Sequence, residues 1–287
     1  MAGEVKYIPL HGRVVIRGQI RAETGLRIGG NPSGIVIGGI DNIVLRNPVS
    51  QLPYVPGSSL KGKMRSLFER YCGAAINHEI DQVSIHSCHV GGTNYEKCDV
   101  CHIFGVPAPS KEDKFKPDHP TPLVVRDVDL ARIGGQTVDE LDEYTEIKWE
   151  AAIDRITSAA VPRQMERVPA GAIFEPMELI YNVYSADVLG RLPQVFVALQ
   201  LVEDDYLGGL GSRGSGKVRF EELEVVCKRK DGGRYKAVGK KEYGNLEALL
   251  SDGTFETWVA EQIAIKEAAA EEAPTEEGVT EETPTEE

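Results

Sequence analysis

The sequence predicts an α+β fold, and two observations lead to it. Residues 13–23, 173–184 and 218–226 are rich in β-branched residues and partly alternate between apolar and polar, which is typical of half-buried strands. Residues 59–73 and 192–203 instead repeat apolar residues at helical spacing. Further strands are expected between these two helices. Strand, helix, strands, helix, strand is the order of a ferredoxin-like split βαβ fold.

The first predicted strand carries two arginines on one face. Arg17 and Arg21 are four residues apart, and side chains alternate between the faces of a strand. A Gly-rich segment from Gly25 to Gly39 follows, and residues 31–34 within it have turn-forming chemistry. We expect this segment to be a loop that contains a short strand.

The helix predicted at 59–73 has an apolar side and a basic side. The apolar side consists of Leu60, Met64, Leu67, Phe68 and Tyr71. Lys61 and Arg65 stand one turn apart on the other side, and Ser58 and Ser59 lie at the helix start. Unpaired amides and the positive end of the helix dipole favour a phosphate there. The simpler interpretation is that these cations are ordinary solvated residues.

The middle of the chain contains two predicted insertions. Residues 74–122 have mixed polarity, a Cys/His cluster and several prolines. A strand is expected at 123–130 and another at 144–150. The second insertion continues to residue 167 and carries three arginines that are exposed by default, Arg155, Arg163 and Arg167.

A second segment has the chemistry of an anion site. Residues 208–216 contain five glycines, so the backbone can approach a ligand that a side chain would block. Arg213 and Lys217 add positive charge. In the helix predicted before this loop, five apolar residues are expected to face the core: Leu192, Val195, Phe196, Leu199 and Val202. Together with the start of the helix at 59–73, the loop predicts a polyanion as the binding partner.

The Cys/His cluster predicts a metal site. His86-x-Cys88 is followed by Cys98-x-x-Cys101, and a Cys-x-x-Cys turn lets two thiolates reach one ion. We predict a closed tetrahedral zinc site with a structural role, because a closed site leaves no position for a reactive water. The alternative ligands are His89 and His102, with His78 and Cys72 more remote. The interpretation without a metal is a set of buried free thiols.

Composition restricts the class of protein without deciding its partner. The formal net charge is −13, but nine glutamates lie between Glu267 and Glu287, which leaves about −4 for the rest. This tail is expected to be disordered and to aid solubility. No apolar run is long enough for a membrane span, and five cysteines suit a reducing compartment, so we expect a cytoplasmic protein.

Several segments in the same order resemble a known family. Between residues 10 and 227 the chain is similar to the repeated backbone subunit of type III-A (Csm) CRISPR effector complexes. Either Gly-rich segment alone would be weak, whereas the ordered set is specific. The segments that carry the resemblance are Arg21, 24–26, 28–30, 40–41, 52–65, 144–148, 153–157, 162–164, 166–167, 205–209 and 216–218.

The resemblance implies an RRM-like fold of the RAMP superfamily, with copies stacked along a guide RNA (crRNA) into a filament beside other Csm subunits. It also implies a hairpin thumb that disrupts the guide–target duplex at regular steps, here at about 146–167. Guide–target pairing would read the sequence, while the protein contacts phosphates. The expected RNA-binding residues are Arg21, Ser58, Ser59, Lys61, Arg65, Arg155, Arg163, Arg167, Arg213 and Lys217.

One position departs from the family pattern. The family's cleavage aspartate lies two residues after an Ile-Gly-Gly in the first loop, and this chain has Pro32 there. Proline has no carboxylate to polarise a 2′-hydroxyl or to hold Mg²⁺ or Mn²⁺. Asp41 keeps an Ile-Asp pattern of the family, although an aspartate near a strand start is more often a cap or a salt-bridge partner. The sequence therefore predicts RNA binding, and metal-dependent endoribonuclease activity has no acid at its usual place.

The resulting division of the chain has five parts. The core is expected at 1–73, 123–145 and 168–228, the zinc-binding insertion at 74–122 and the thumb at 146–167. A C-terminal extension at 229–266 precedes the acidic tail at 267–287.

Two other functions stay open at this point. A stand-alone RAMP-type endoribonuclease that processes precursor RNA would need a general base, and His11 is the histidine outside the insertions. A zinc-dependent nucleic-acid-binding module would act as a monomer. Asp127 and Asp129, at the end of a predicted strand, are further candidate acids.

Overall fold

The computed structural model describes residues 7–29, 43–89, 95–107 and 117–265. They form a large antiparallel sheet, two separate hairpins and several helices. The strands are β1 (Gly12–Ala22), β2 (Tyr54–Val55), β3 (His78–Ile80), β4 (Val83–Ile85), β5 (Leu123–Val125), β6 (Val128–Ile133), β7 (Gln136–Thr137), β8 (Glu146–Ile153), β9 (Ala160–Arg167), β10 (Ala172–Val183), β11 (Val218–Asp231) and β12 (Arg234–Asn245). The helices are α1 (Gly57–Tyr71), α2 (Asp99–Phe104), α3 (Ala186–Gly190), α4 (Leu192–Asp204), α5 (Leu246–Leu250) and α6 (Phe255–Ile263).

The main sheet has the order β12-β11-β1-β10-β6-β2, with β5 also paired to β10 and β7 to β6. β1 lies at the centre between β10 and β11 and is antiparallel to both. Apart from β11 and β12, the strands that are neighbours in this order are distant in sequence. The predicted α+β class with a large antiparallel sheet is confirmed.

The core lies between this sheet and the pair of helices α1 and α4. Leu60, Met64 and Phe68 of α1 are fully buried, as the helical spacing predicted, and the inward residues predicted for α4 are buried too. Each such side chain contributes about 1.5–3 kcal/mol through burial. Tyr71 was predicted on the apolar side, but it is 63 % exposed and only stacks on the rim of Phe68.

The predicted strand at 123–130 is two strands, β5 and β6. The chain breaks between them because Asp127 turns to the start of α1, where its carboxylate accepts a hydrogen bond from the Gly57 amide at 2.7 Å. The Arg126 amide donates to the Glu178 carbonyl oxygen at 3.0 Å. The break therefore ties this edge of the sheet to both β10 and α1.

The C-terminal part departs most from expectation. β11 continues to Asp231 and forms a hairpin with β12, so the predicted boundary at residue 228 cuts through a strand of the main sheet. The hairpin turns at Gly232 and Gly233, which both have positive φ. An Asp-Gly-Gly run is a hairpin signal that sequence reasoning overlooked.

The weak helical pattern after residue 246 is two helices, α5 and α6. They are separated at Asp252, whose carboxylate accepts hydrogen bonds from the Thr254 amide and hydroxyl. Phe255, Val259 and Ile263 of α6 are buried against the sheet. Among the described residues, none of these helices has the length and apolarity needed to cross a membrane.

Candidate functional site

The predicted metal ligands come together in the structure. One nitrogen of His86 and the sulfurs of Cys88, Cys98 and Cys101 all lie within 4.8 Å of one another. His86 Nε2 is 3.3 Å from Cys98 Sγ and 3.4 Å from Cys88 Sγ. Three thiolates and one imidazole at this separation are the donor set of a tetrahedral structural zinc site, so the residues fit such an ion.

Local structure prepares this cluster for a cation. Cys98 is the N-cap of α2, and its sulfur accepts a hydrogen bond from the Cys101 amide at 3.4 Å. Hydrogen bonding from Cys101 lowers the pKa of the Cys98 thiol to about 4. His86 Nδ1 lies 2.7 Å from the Ala75 carbonyl oxygen, which holds Nε2 towards the sulfurs. The site therefore offers the Cys98 thiolate beside an imidazole nitrogen that is oriented towards the sulfurs.

The alternative ligands lie outside this group. His89 contacts Ser87 and the His78 ring, and the His102 ring nitrogen is 3.0 Å from that of His119. Cys72 is exposed in the cleft beside the cluster but does not belong to the group of four. The structure thus selects His86 from the three histidines that the sequence left open.

Two arginines fasten the metal-binding segment to the core. Arg65 of α1 donates to the Gly105 carbonyl oxygen at 2.9 Å and to the His86 carbonyl oxygen at 2.7 Å, and its Nε contacts Glu69. Arg191 pairs with Asp99 of α2. Because the guanidinium of Arg65 binds backbone carbonyl oxygens, it supports the Cys/His cluster rather than presenting its charge to a ligand.

Lys61 of α1 also points inward. Its Nζ donates to the Leu123 carbonyl oxygen at 2.7 Å. Burial, with a smaller effect from nearby Arg65, lowers the pKa of Lys61 to about 8. The ammonium group therefore binds the backbone at the first residue of β5.

The start of α1 is partly available. Ser58 is exposed and Ser59 is half-buried, so both hydroxyls are at least partly accessible to a ligand. The Asp127 carboxylate, however, already accepts from the Gly57 amide at 2.7 Å. A second anion at the start of α1 would therefore lie beside the negative charge of Asp127 and could bind only the amides that this carboxylate leaves free.

β8 and β9 form a hairpin over residues 146–167, which we call the thumb. Its register runs from Glu146 opposite Arg167 to Ile153 opposite Ala160. Trp149 is 62 % exposed and Ile156, at the tip, is 94 % exposed. An isolated two-stranded hairpin with apolar side chains in solvent is marginal by itself, which indicates a surface that contacts something else.

Four cations meet on one face of the thumb. Lys148, Arg155, Arg163 and Arg213 line one cleft around Glu150. Glu150 lies 3.0 Å from Lys148 Nζ and 3.1 Å from an Arg213 nitrogen. Hydrogen bonding from Lys148, supported by Arg213, lowers the pKa of Glu150. We call this group the thumb cleft. Because it contains four cations and a single carboxylate, its net charge is positive.

Lys148 and Glu150 were not among the predicted site residues. Their alternation with Glu146 along a strand placed them on one face, so the signal was in the sequence. The cross-strand register adds Arg163 directly opposite Glu150. The approach of Arg213, from a loop distant in sequence, required the tertiary structure.

The Gly-rich loop at 208–216 packs on the protein itself. A Cβ at Gly208 would collide with the Arg27 carbonyl oxygen, and one at Gly216 with that of Leu207. The Gly209 amide donates to the Arg27 carbonyl oxygen at 2.8 Å, and the Gly216 amide to that of Gly25 at 3.0 Å. These glycines therefore permit close packing between two backbone segments, which replaces the predicted cradle of free amides.

The other predicted cations lie at the surface in ion pairs. Arg21 contacts Glu221 at 2.9 Å, Arg167 contacts Glu146 at 2.7 Å and Lys217 contacts Glu23 at 3.1 Å. Arg21 and Lys217 are exposed, whereas Arg167 is half-buried, and exposed pairs contribute about 0–1 kcal/mol. Arg21 and Lys217 can therefore exchange their partners for phosphates at low cost.

The first loop begins and ends beside the thumb. Gly29 pairs with Val44, and Leu26 pairs with Val168 directly after β9. Pro32 and Asp41 lie outside the described residues. The short ladder at both ends of the loop nevertheless fixes where this segment leaves the core.

Glu166 joins this ladder to the thumb. Its carboxylate accepts from the Val44 amide at 2.7 Å, from Arg46 at 2.6 Å and from the Thr145 hydroxyl at 2.8 Å. Burial by itself raises the pKa of Glu166, but these hydrogen bonds outweigh it and the net pKa is lowered. A buried carboxylate with this many donors is a tertiary anchor that sequence reasoning did not identify.

We expect Glu166→Gln to destabilise the fold by about 2–3 kcal/mol, because its amide group would face existing donors with a donor of its own. Denaturant unfolding measures this, and Glu146→Gln, an exposed arginine partner in the same hairpin, should change stability by less than about 0.5 kcal/mol. Because the pKa of Glu166 is lower in the folded state than in the unfolded state, the charged carboxylate stabilises the fold at pH values above the unfolded pKa of about 4.3. This stabilisation is lost as the pH falls below that value. The glutamine variant should therefore lose part of the acid dependence of unfolding; an unchanged acid dependence would contradict this role.

Comparison with known proteins identifies the family. The sequence model of the RAMP superfamily matches residues 19–219. The chain belongs to the RAMP superfamily. A relative from Methanocaldococcus jannaschii, named CRISPR system Cms endoribonuclease Csm3, is 36 % identical over 245 residues, covering 84 % of this chain and 92 % of that protein. One of the same name from Methanothermobacter thermautotrophicus is 39 % identical over 253 residues, covering 84 % of this chain and 96 % of that protein.

A solved structure has a similar fold. The crystal structure of a Csm3-Csm4 subcomplex in the type III-A CRISPR-Cas interference complex matches with a TM-score of 0.52 and 29 % identity, covering 85 % of this chain and 96 % of that chain. The family predicted from the ordered motifs is confirmed. The metal cluster and the thumb cleft lie within the matched RAMP region, whereas β12 and the helices after it lie beyond residue 219.

Proposed function

We propose that this chain is a guide-RNA-binding backbone subunit of a type III-A CRISPR antiviral interference complex. Its relatives are Csm3 proteins, and the matched crystal structure is of a Csm3-Csm4 subcomplex. The observation that carries the proposal is the thumb cleft, an exposed basic surface on a protruding hairpin. In this proposal the partners are crRNA, target RNA, further copies of this chain in a filament and other Csm subunits, in the cytoplasm.

The RNA-facing surface in this proposal is narrower than the sequence suggested. We assign phosphate contacts to Arg155, Arg163 and Arg213 of the thumb cleft, because their head groups are exposed. Arg21, Arg167 and Lys217 extend this surface, and Ser58 and Ser59 offer hydroxyls at the start of α1. Lys61 and Arg65 are left out, since their head groups hold internal carbonyls. Contacts of this kind would bind many sequences alike.

The finer description of the fold belongs to the same proposal. The order β11-β1-β10-β6, with α1 after β1 and α4 after β10, is the 4-1-3-2 arrangement of a ferredoxin-like, RRM-like core. The metal segment and the thumb interrupt this core between its β-strands. An insertion on a rigid sheet is where binding functions are commonly added.

We propose that the bound metal is zinc and that it stabilises the insertion at 74–122. Three cysteines and a histidine select zinc among common divalent ions, and the four protein ligands leave no open position. Cys88 and Cys101 are buried, and hydrogen bonds from Arg65 connect the cluster to α1. The ion would cross-link chain segments that are too polar to form a hydrophobic core by themselves.

Cleavage of target RNA is a separate question, because the usual acid position holds Pro32. If the assembled complex cuts RNA with Mg²⁺ or Mn²⁺, Asp41 is the first acid to consider. Stand-alone processing of precursor RNA gains no support, since His11 shares a cleft with Arg229 and Lys230 rather than with thumb residues.

The test is a gel shift followed by cleavage of a labelled, guide-complementary RNA by the assembled complex with Mg²⁺. We expect tight binding of the target, because the RNA-facing cations do not depend on the loop acid. Cuts at constant spacing that disappear with Asp41→Ala would assign catalysis to that residue; tight binding without cuts would make the chain a guide-holding scaffold. Failure to bind guide RNA in the assembled complex would overturn the proposed function.

A further inference from the structure

The hairpin formed by the end of β11 and by β12 is strongly basic, and no function has been given to it. Between Lys228 and Lys241 the chain has seven lysines and arginines and a single aspartate. Arg229 lies directly opposite Lys236 in the register, so two cations face each other across the strands. Like charges at such positions destabilise a hairpin, which favours a counter-charge nearby. We call residues 228–241 the basic hairpin.

Much of this positive charge lacks an acidic partner. Among the described residues, no ion pair involves Lys228, Arg229, Lys230 or Arg234, whereas Lys236 contacts Asp231 at 2.7 Å. Lys230, Arg234 and Lys236 are exposed at the end of the hairpin. The basic hairpin therefore presents a surface suited to an acidic chain segment.

The described chain ends beside this surface. Arg229 donates to the Ile263 carbonyl oxygen at 3.5 Å, and Arg229 and Lys230 line one cleft together with Ile263 and Ala264. The described chain thus ends, at residue 265, near the turn of the basic hairpin. The segment that follows, residues 267–287, holds nine glutamates and no lysine or arginine.

We propose that residues 267–287 bind the basic hairpin of the same chain through contacts between glutamates and the exposed cations at its end, Lys230, Arg234 and Lys236. Twenty-one residues can span up to about 70 Å, longer than a twelve-residue strand of about 40 Å. Attachment at the hairpin turn gives the segment an effective concentration in the millimolar range, which favours binding within the chain. The contact is electrostatic, so salt weakens it.

One consequence concerns other polyanions. A bound acidic segment neutralises the basic hairpin, so that a second cationic surface does not compete with the thumb cleft. The contact between the tail and the basic hairpin exists within the chain without RNA, so it does not rest on the proposed RNA function.

The experiment compares lysine acetylation, followed by mass spectrometry, in the full chain and in a full-length variant whose nine tail glutamates are glutamines (Glu267→Gln through Glu287→Gln). Without RNA and at low salt, Lys230 and Lys236 should react roughly threefold more slowly in the unmodified chain. The difference should vanish at about 1 M salt. Carbodiimide coupling should join tail glutamates to the same lysines.

Lys217 is the matched control, because it is 52 % exposed and pairs with Glu23, much as Lys236 is 56 % exposed and pairs with Asp231. Its reactivity should be equal in both chains. Equal reactivity of Lys230 and Lys236 in both chains, an equal change at Lys217, or coupling only between isotopically distinct chains would each overturn the proposal. Protection of these lysines by added RNA in both chains, without protection by the tail, would make the hairpin a nucleic-acid surface instead.

Discussion

Cys98→Ser is expected to abolish binding of the proposed zinc ion and to unfold the segment around it. This is the largest effect we expect from a single substitution, because metal affinity is folding free energy in a small polar insertion. The loss should be about 5 kcal/mol or more, which lowers the thermal midpoint by about 10 °C. Metal content per chain, thermal unfolding and limited proteolysis within residues 74–107 measure it.

Cys72→Ser is the matched control for this prediction. Cys72 lies in the same cleft as Cys98 but outside the group of four ligands. It should leave metal content and the thermal midpoint unchanged, and a chelator should then reproduce the Cys98→Ser phenotype. A metal-free protein that keeps its stability but loses RNA cleavage would show that the metal is not structural.

Combined replacement of Arg155, Arg163 and Arg213 by alanine is expected to weaken guide-RNA binding about 10- to 100-fold. All three line the thumb cleft, and their exposed head groups lose little internal structure when removed. Single-stranded RNA releases about 0.7 counterions per phosphate contact, so the dependence of log affinity on log salt should flatten by about 2. Fluorescence anisotropy at several salt concentrations measures both values.

Arg70→Ala is a suitable control, since Arg70 is an exposed arginine of α1 whose described hydrogen bonds are to Ser66. It should leave both the affinity and the salt dependence unchanged. A loss that is equal for Arg70→Ala and for any one of the thumb-cleft arginines would mean that RNA responds only to net charge. The thumb cleft would then have no special role in binding.

The metal centre was predictable from sequence to an unusual degree. Cys98 and Cys101 are separated by one turn at the start of α2, so their spacing alone brings both sulfurs to one side. His86 was the predicted histidine, but the sequence left His89 and His102 as alternatives, because the choice rests on the Ala75 carbonyl oxygen and on the position of the segment against Arg65. Both are contacts between separate pieces of chain.

The basic side chains predicted to bind an anion lie only partly where the sequence suggested. Basic residues of α1 were found by their helical spacing, yet Lys61 and Arg65 turn their charges towards the Leu123, Gly105 and His86 carbonyl oxygens. The thumb arginines Arg155 and Arg163 are exposed, as expected for a long insertion. The RNA-binding role of every one of these residues stays a prediction.

The sequence by itself determined the family, the large strands, the two core helices and the metal ligand types, because periodicity and ligand spacing are local properties of a chain. Only the tertiary structure decided which cations are free, which glycines pack on backbone, and that β12 completes the sheet. A side chain's availability depends on carbonyls and carboxylates from segments tens of residues away. Such partners are set by packing of the whole core, which no local pattern contains.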